Sequence, residues 1–186
     1  MKDLIVSFKH CLLSLLVFGG GYTLLVLAFA MVVAPEARIG SLLTDVDGTI
    51  RGASLIGQSF TQPKYFRPRP SAVNYDASAT GGSNLSPKNP EISERAKGIV
   101  DSMGLSEGQF VPADLVTASG SGVEPHITYA AALLQTPRVA QARGLSEESL
   151  RSTIDRFKDS FALEVLGAEP LVNVLMLNMA LDKGEE

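Results

Sequence analysis

The hydrophobic pattern of this chain is dominated by one run near its N-terminus. Residues 11–34 include no Asp, Glu, Lys, Arg or His. At about 1.5 Å of rise per residue, a helix of that length reaches roughly 36 Å and crosses a hydrocarbon core about 30 Å thick with some tilt. Charged or turn residues interrupt every later apolar run. The pattern predicts a tail over residues 1–10, a transmembrane helix over 11–34 and a water-soluble domain over 35–186.

A cleaved signal peptide is the alternative interpretation of this run, because Ala28-Phe29-Ala30 has the small-residue pattern of a cleavage site. The apolar regions of signal peptides extend over about 7–15 residues, and this one is longer. We therefore expect a retained anchor. Its three consecutive glycines at 19–21 indicate either a groove that faces a partner helix or tolerated lipid-facing positions.

The charges beside the apolar run predict its orientation. Lys2 and Lys9 precede it with only Asp3 against them, whereas Arg38 after it has three acidic neighbours by residue 47. Cytoplasmic flanks carry an excess of Lys and Arg. We therefore expect a single-pass protein of the cell inner (plasma) membrane, surrounded by lipid, with its N-terminus in the cytoplasm and its main domain outside.

The first part of the soluble domain reads as a hairpin followed by a long irregular segment. The hairpin is predicted over residues 42–46 and 49–56, joined at Asp47-Gly48, a dipeptide that favours tight turns. Residues 59–90 are rich in Pro, Gly, Ser and Asn, which indicates little regular structure. Its aromatic residues nevertheless predict that this segment is ordered and functional.

Helical spacing and capping residues predict three helices further along the chain. Apolar residues at 92, 96, 99, 100 and 103 follow the i, i+3, i+4 pattern, and Gly104 can end that helix. Thr128 can cap a helix through residues 130–135, which Pro137 interrupts or restarts. Ser146 can cap a third helix. The apolar face of that helix is Leu150, Ile154, Phe157 and Phe161.

Two β-branched runs predict strands. Residues 111–118 lead into a glycine-rich turn at 119–122, and residues 171–177 have the composition of a buried strand. With the helices, these strands predict an α+β soluble domain on a single N-terminal transmembrane helix.

The charge of the soluble part excludes one class of partner. Two of the 16 Lys and Arg residues and one of the 20 Asp and Glu residues precede Pro35, so the remaining chain carries 14 cations against 19 anions, a net charge of −5. Nucleic acid is therefore not expected as a partner. The single cysteine, Cys11, lies in the apolar run and leaves no internal disulfide possible.

Asp45 and Asp47 carry the one pattern typical of catalysis. The segment LLTDVDGT at 42–49 resembles the loop of haloacid-dehalogenase-type phosphatases, in which the first Asp attacks phosphorus and the second acts as acid and base. Such an enzyme also needs a distant Lys and an acidic pair for magnesium, and Asp-Asp does not occur here. A membrane-anchored aspartyl phosphatase is the alternative function, although a hairpin turn explains the pattern with fewer requirements.

The rest of the sequence offers no other catalytic set. His126 is the only histidine after the apolar run, which leaves no two-histidine metal site in the domain. Neither glycine-rich turn is followed by the Gly-Lys-Ser or Gly-Lys-Thr of a P-loop. We expect no catalytic residue, no metal ligand and no cofactor of its own.

Residues 63–70, PKYFRPRP, interleave cations with aromatic rings. Such a segment can bind a phosphate, stack on a base or grip a partner. Alternatively, the rings pack on the domain and the arginines meet its surplus carboxylates. Both interpretations stay open from the sequence.

In order along the chain, further motifs resemble the C subunit of the Kdp-type potassium-transporting ATPase, a bacterial and archaeal P-type pump. They include GASLIGQ at 52–58, YF at 65–66, RPSA at 69–72, GGSNL at 81–85, DLVTASGSG at 114–122, PHI at 125–127 and VNVL at 172–175. The family often has Ser at the position of Ala53 and Leu-Asp at Val123-Glu124, and neither departure alters the charge class. The resemblance covers essentially the whole chain.

The resemblance implies a non-catalytic accessory subunit of an ATP-driven potassium uptake pump. In such a pump a channel-like subunit conducts potassium and a P-type subunit hydrolyses ATP, so ATP and the transported potassium come with the complex. The family is also described as a catalytic chaperone that raises the ATP affinity of the hydrolytic subunit. Because the predicted topology places the domain outside the cytoplasm, we expect that effect to be transmitted through the assembly.

Two polar side chains illustrate the choice between docking and nucleotide contact. The amide of Gln135 suits an adenine edge, and the forked donors of Arg138 suit a phosphate. The same groups can satisfy carbonyls freed where Pro137 breaks the helix, and we expect this structural role. The candidate docking or nucleotide-influencing residues are Gln58, Tyr65, Phe66, Arg69, Asn84, His126, Gln135 and Arg138.

Overall fold

The computed structural model describes residues 1–45, 47–105, 108–159 and 167–184. The chain divides into two compact units, Met1–Ala53 and Ser54–Glu186. The first contains the apolar helix, a short helix and a hairpin, and the second contains the remaining helices and a three-stranded sheet.

One long helix, Lys2–Val33, begins the first unit and is apolar enough to cross a membrane, with a mean hydropathy of 2.2 over an 18-residue window. It is α-helical over Lys2–Ser14 (α1) and Tyr22–Val33 (α2), with a π-helical turn at Leu15–Gly21 between them. The predicted span is therefore confirmed as helix, but the helix already starts at Lys2, where Asp3 complements the dipole of its first turn.

The predicted hairpin is confirmed, although its strands are shorter than expected. A short helix, Pro35–Arg38 (α3), precedes antiparallel strands Leu42–Thr44 (β1) and Ile50–Ala53 (β2). At the turn, the Gly48 N–H donates to the Asp45 carbonyl at 3.0 Å. Gly48 has φ +79°, a conformation that costs glycine little. Val46 lies outside the described residues.

Capping residues predict two helices of the second unit correctly. Helix Pro90–Met103 (α4) begins after Asn89, whose side chain accepts from the Glu91 N–H, and ends at Gly104 with φ +62°. Helix Glu147–Arg156 (α6) begins after Ser146, whose hydroxyl accepts from the Ser149 N–H at 3.1 Å. On its predicted face, Leu150 and Ile154 are buried and Phe157 is partly buried, while Phe161 lies outside the described residues.

Pro137 does not interrupt the helix that Thr128 caps, so that prediction is wrong. Helix Tyr129–Arg143 (α5) is continuous through Pro137. Proline removes one backbone hydrogen bond, but Val139 and Ala140 in the following turn are buried in the core. Their packing holds the helix across the missing bond.

The predicted strand at 111–118 is wrong as well. A 3₁₀ turn, Ala113–Leu115, lies there instead. The Thr117 N–H and hydroxyl both donate to the Ala113 carbonyl, at 2.9 and 2.7 Å. Local bonds thus take backbone groups that a strand would offer to a neighbour. The turn predicted at 119–122 does form, with the Gly122 N–H donating to the Ser119 hydroxyl at 2.8 Å.

Only the first part of the strand predicted at 171–177 is a strand. Strand Leu171–Asn173 (β5) is followed at once by helix Val174–Lys183 (α7). The change occurs at Asn173, whose side-chain oxygen accepts from the Met176 N–H at 3.0 Å and caps the helix. Apolar residues at 174, 177 and 181 then share one buried face.

The sheet of the second unit has the order β3-β5-β4 and is antiparallel throughout. Its other strands are His126–Thr128 (β3) and Lys158–Asp159 (β4). The central strand contributes fully buried Val172, which pairs with buried Ile127. The core joins the sheet to α5, α6 and α7 through Phe66, Ile127, Ala131, Ala132, Val139, Leu150, Ile154, Val172, Val174 and Leu177.

Residues 54–89 contain neither helix nor strand, which confirms the irregular segment predicted from residue 59 and ends the hairpin before the predicted residue 56. Close backbone approaches hold the ends of this segment. The Gly57 N–H donates to the Val123 carbonyl at 2.7 Å, and the Gly81 N–H donates to the Ser121 carbonyl at 2.8 Å. These bonds hold residues 54–89 against the rest of the unit, and we call this ordered segment the irregular layer.

Candidate docking site

Two buried amide side chains fix the middle of this irregular layer. Asn178 on α7 accepts from the Phe66 N–H and donates to the Phe66 carbonyl, both at 2.9 Å. Gln135 on α5 does the same for the next residue, accepting from the Arg67 N–H at 2.8 Å and donating to the Arg67 carbonyl at 3.1 Å. Each amide forms the two backbone hydrogen bonds that a neighbouring strand would otherwise provide. The fully buried Phe66 ring anchors the segment in the core.

Two arginines of α5 bind the same stretch through its carbonyl groups. The Nη1 of Arg138 donates to the carbonyls of Pro63 and Tyr65, at 2.5 and 3.0 Å. The Nε of Arg143 donates to the Lys64 carbonyl at 2.7 Å. These bonds, rather than the ends of a broken helix, occupy the guanidinium groups.

Tyr65 lies beside these arginines. Its hydroxyl donates to Asp182 at 2.8 Å, and its ring lies 5.2 Å from that of Phe60. The cations of Lys64 and Arg143 lie 4.9 and 5.3 Å from the ring centroid, within cation–π range. Arg143 also pairs with Asp182 at 2.8 Å. The contact between the Tyr65 and Phe60 rings agrees with the interpretation that the rings pack on the domain, whereas binding of a phosphate, a base or a partner stays a prediction.

Arg69 ties the layer to the turn after the 3₁₀ helix. Its Nη2 donates to the Thr117 hydroxyl at 3.3 Å and to the Ala118 carbonyl at 3.4 Å. The Tyr75 hydroxyl donates to the Arg69 carbonyl at 2.8 Å. Burial raises the pKa of the Tyr75 phenol.

The other three candidate residues are His126, Asn84 and Gln58. His126 on β3 contacts Glu124 through Nδ1 at 2.7 Å, and its Nε2 lies 3.4 Å from the Asn173 amide nitrogen. Asn84 is exposed in a left-handed backbone conformation, φ +52°. Gln58 is half-buried beside Gly57.

A pocket of about 570 Å³ opens between α4, α5 and the irregular layer. Arg67 and Arg138 line it together with Gln135 and Tyr75. Apolar side chains form much of the remaining wall; they are Phe60, Ile99, Met103, Leu115, Leu134 and three prolines. Such a mixture of apolar walls and a few polar groups is typical of a binding site.

Two effects act on the Arg138 guanidinium. Burial, and to a smaller extent the neighbouring charge of Arg67, lower the pKa of Arg138 to about 10. The site therefore places two positive charges in a pocket whose lining also includes many apolar side chains. That arrangement can receive an anionic group.

The two aspartates of the phosphatase-like pattern serve the hairpin. Asp45 pairs with Arg51 at 2.9 Å. Asp47 accepts from the Thr49 N–H at 2.9 Å, and its bonds with Thr49 lower the pKa of its carboxyl group. Across the described residues, no group of three His, Cys, Asp or Glu side chains is placed to hold a metal ion.

Sequence reasoning brought Tyr65, Phe66, Gln135 and Arg138 into one candidate set, and the structure brings them into one cluster. The candidate set left out Asn178, which directly follows the buried strand predicted at 171–177; a lone amide beside such an apolar run was the available signal. Sequence reasoning also did not predict that α4 lines a pocket with α5, because that arrangement depends on tertiary contacts.

Comparison with known proteins shows a match along nearly the whole chain. Residues 4–183 match the family described as KdpC: K+-transporting ATPase, c chain. A potassium-transporting ATPase KdpC subunit from Parvibaculum lavamentivorans is 41% identical and aligns with 100% of this chain and 98% of its own. Those from Geobacter sulfurreducens and Rhodopseudomonas palustris are 45% and 44% identical, with 98% of each chain covered. The chain therefore belongs to the KdpC family.

Proposed function

We propose that this chain is a non-catalytic accessory subunit that stabilises the assembly of an ATP-driven potassium uptake pump. Its partners are a channel-like subunit that conducts potassium and a P-type subunit that hydrolyses ATP. Family membership along residues 4–183 carries the proposal, because relatives of 41–45% identity bear the name of an ATPase subunit.

Features of the described structure support an assembly role. The apolar helix Lys2–Val33 is long enough to enter the bilayer beside the partners' helices. In the second unit, the side chains of Gln135 and Arg138 form hydrogen bonds with the backbone of residues 63–67. They build a fixed surface, which lowers the entropy lost when a partner docks.

The proposal includes an effect on ATP use by the hydrolytic subunit. The main domain lies outside the cytoplasm in the topology that we propose, with Lys2 and Lys9 inside. A higher ATP affinity would then arise through contacts in the assembly, with ATP bound by the hydrolytic subunit. Potassium is the transported ion and needs no ligand from this chain.

Co-purification tests the proposal. The tagged full-length chain is extracted from native membranes in mild detergent, and the proteins that accompany it are identified. We expect a channel-like subunit and a P-type subunit in amounts comparable to the tagged chain. Recovery of the chain without pump subunits, under conditions that keep other membrane complexes intact, would refute the assembly role.

A further inference from the structure

The pocket between α4 and α5 contains two positive charges that the described structure does not neutralise. The Nη2 of Arg67 reaches the Thr61 carbonyl at 3.5 Å, a long contact. Neither Arg67 nor Arg138 takes part in an ion pair among the described residues. None of the residues that line the pocket is acidic.

This concentration of positive charge contrasts with the rest of the domain. The chain after residue 34 has a net charge of −5, yet its acidic side chains stay out of the pocket. Two guanidiniums near each other repel, and this repulsion contributes to the lowered pKa of Arg138. A ligand that brings a negative charge removes that repulsion and complements the site.

Arg67 is held in position before any ligand arrives. Gln135 binds both its N–H and its carbonyl, and Asn178 binds those of Phe66 next to it. The backbone beneath the guanidinium is therefore fixed from two helices. Preorganised groups bind with less loss of entropy.

The walls select for a ligand that is apolar as well as anionic. Phe60, Met103 and Leu134 line the pocket beside the arginines, and all three pack against the hydrophobic core. A volume of about 570 Å³ admits several side chains. A carboxylate flanked by large apolar side chains fits both parts of the pocket.

We propose that this pocket receives an acidic–apolar segment of another pump subunit, an inference that rests on the proposed assembly function. The number of available donors favours such a segment over a nucleotide. Three N–H contacts of Arg138 are already directed at Pro63, Tyr65 and Gln135. One carboxylate requires a single guanidinium fork, whereas a triphosphate requires many more charged donors.

Binding of the full-length chain to the other pump subunits tests this inference. Tagged chain is titrated into detergent-solubilised membranes that contain those subunits but lack this one, at low and high NaCl. Arg67→Glu reverses one charge of the pocket. Gln141→Glu places a carboxylate at its exposed wall and competes with the incoming one. Lys97→Glu makes the same charge change as Arg67→Glu at an exposed site of α4 that does not line the pocket.

We expect Arg67→Glu and Gln141→Glu to weaken binding about tenfold or more, with a smaller salt dependence, and Lys97→Glu to weaken it less than about twofold. Binding by both pocket variants that equals the wild type would overturn the inference and leave the assembly function standing. Displacement of the wild type by ATP, lost in Arg67→Glu, would also overturn it in favour of a small anion. A wild-type chain that fails to bind would refute the assembly function itself.

Discussion

At the scale of single residues, Asn178 determines the path of a segment that has no secondary structure of its own. Its side chain is 1% exposed and satisfies both backbone groups of Phe66, which is 0% exposed. Buried backbone groups without partners are costly. One amide on α7 thus replaces the strand that would otherwise cover residue 66.

Asn178→Ala should therefore destabilise the folded chain by about 2–4 kcal/mol, since it leaves a buried donor and a buried acceptor unpaired. Denaturant unfolding of the full-length protein in detergent measures the change. Gln109→Ala is the control, because Gln109 is an exposed amide, and it should change the free energy of unfolding by less than about 0.5 kcal/mol. Equal effects of the two substitutions would contradict the role given to Asn178.

Tyr75 links stability to pH at the alkaline end. Burial raises the pKa of its phenol above the ordinary value of 10.0, and its hydroxyl donates to the Arg69 carbonyl. Below that ordinary pKa the phenol is protonated in both the folded and the unfolded chain. Above it the unfolded chain releases the proton first, so the contribution of Tyr75 to stability is lost as pH rises through the raised pKa of the folded state.

The tyrosine absorbance of the folded chain should accordingly show a phenol that ionises at higher pH than in the denatured chain, and Tyr75→Phe should remove it. Burial is the cause, so the shift should vanish on denaturation. If the phenol that the variant loses instead ionises at the same pH as in the denatured chain, the Tyr75 phenol is accessible and the burial account is contradicted. The Tyr129 phenol, whose pKa is raised mainly by its hydrogen bond with Asp155, remains in the variant as an internal reference.

At the scale of elements, substitutions of two glycines distinguish the effect of close packing on stability from the effect of helix propensity. A Cβ added at Gly57 would lie 2.6 Å from the Glu124 carbonyl oxygen, whereas one added at Gly98 on α4 would meet nothing within 4 Å. Neither glycine has a positive φ. The same substitution should therefore have opposite effects at the two positions.

Gly57→Ala should lower the free energy of unfolding by about 1–3 kcal/mol, because it forces residues 54–58 away from Val123 and Glu124. Gly98→Ala should raise it by about 0.5–1 kcal/mol, since alanine favours a helix. Thermal unfolding of both variants beside the wild type gives the comparison. Destabilisation by Gly98→Ala would show that α4 has a close contact at that position.

The elements that sequence predicted well are those with local signals. Asn89, Ser146 and Thr128 cap helices through bonds to residues two or three positions later, and Gly104 ends a helix by its own conformation. The failures have both tertiary and local causes: core packing at Pro137, and short-range side-chain bonds at Thr117 and Asn173. Pro137 is tolerated because Val139 and Ala140 pack in the core, and β5 stops where Asn173 caps α7.

The candidate site was predictable in part for the same reason. The aromatic and basic pattern of residues 63–70 indicated an ordered surface segment, and the hydrogen-bonding side chains beside Pro137 placed Gln135 and Arg138 in the candidate set. That these side chains bind the backbone of residues 63–67 depends on a long-range contact between α5 and a segment about 70 residues earlier. No local pattern encodes that contact.

At the scale of the whole molecule, orientation in the membrane decides how the chain can influence ATP use. The flanking charges predict the N-terminus inside and the main domain outside. The single cysteine, Cys11, allows a clean test after its replacement by serine. In that background, Lys183→Cys in intact spheroplasts should react with a membrane-impermeant thiol reagent, and Lys2→Cys should react only after lysis. The reverse pattern would place the domain in the cytoplasm and make direct contact with ATP feasible.

Potassium-stimulated ATP hydrolysis tests the central claim, an accessory role in the pump, most directly. The channel-like and ATP-hydrolysing subunits are reconstituted with and without the full-length chain, and hydrolysis is measured at limiting and saturating ATP. We predict no hydrolysis by this chain alone, little potassium stimulation without it, and restored stimulation with it, together with a lower KM for ATP. Full potassium-stimulated hydrolysis in its absence, with the same KM, would contradict the account.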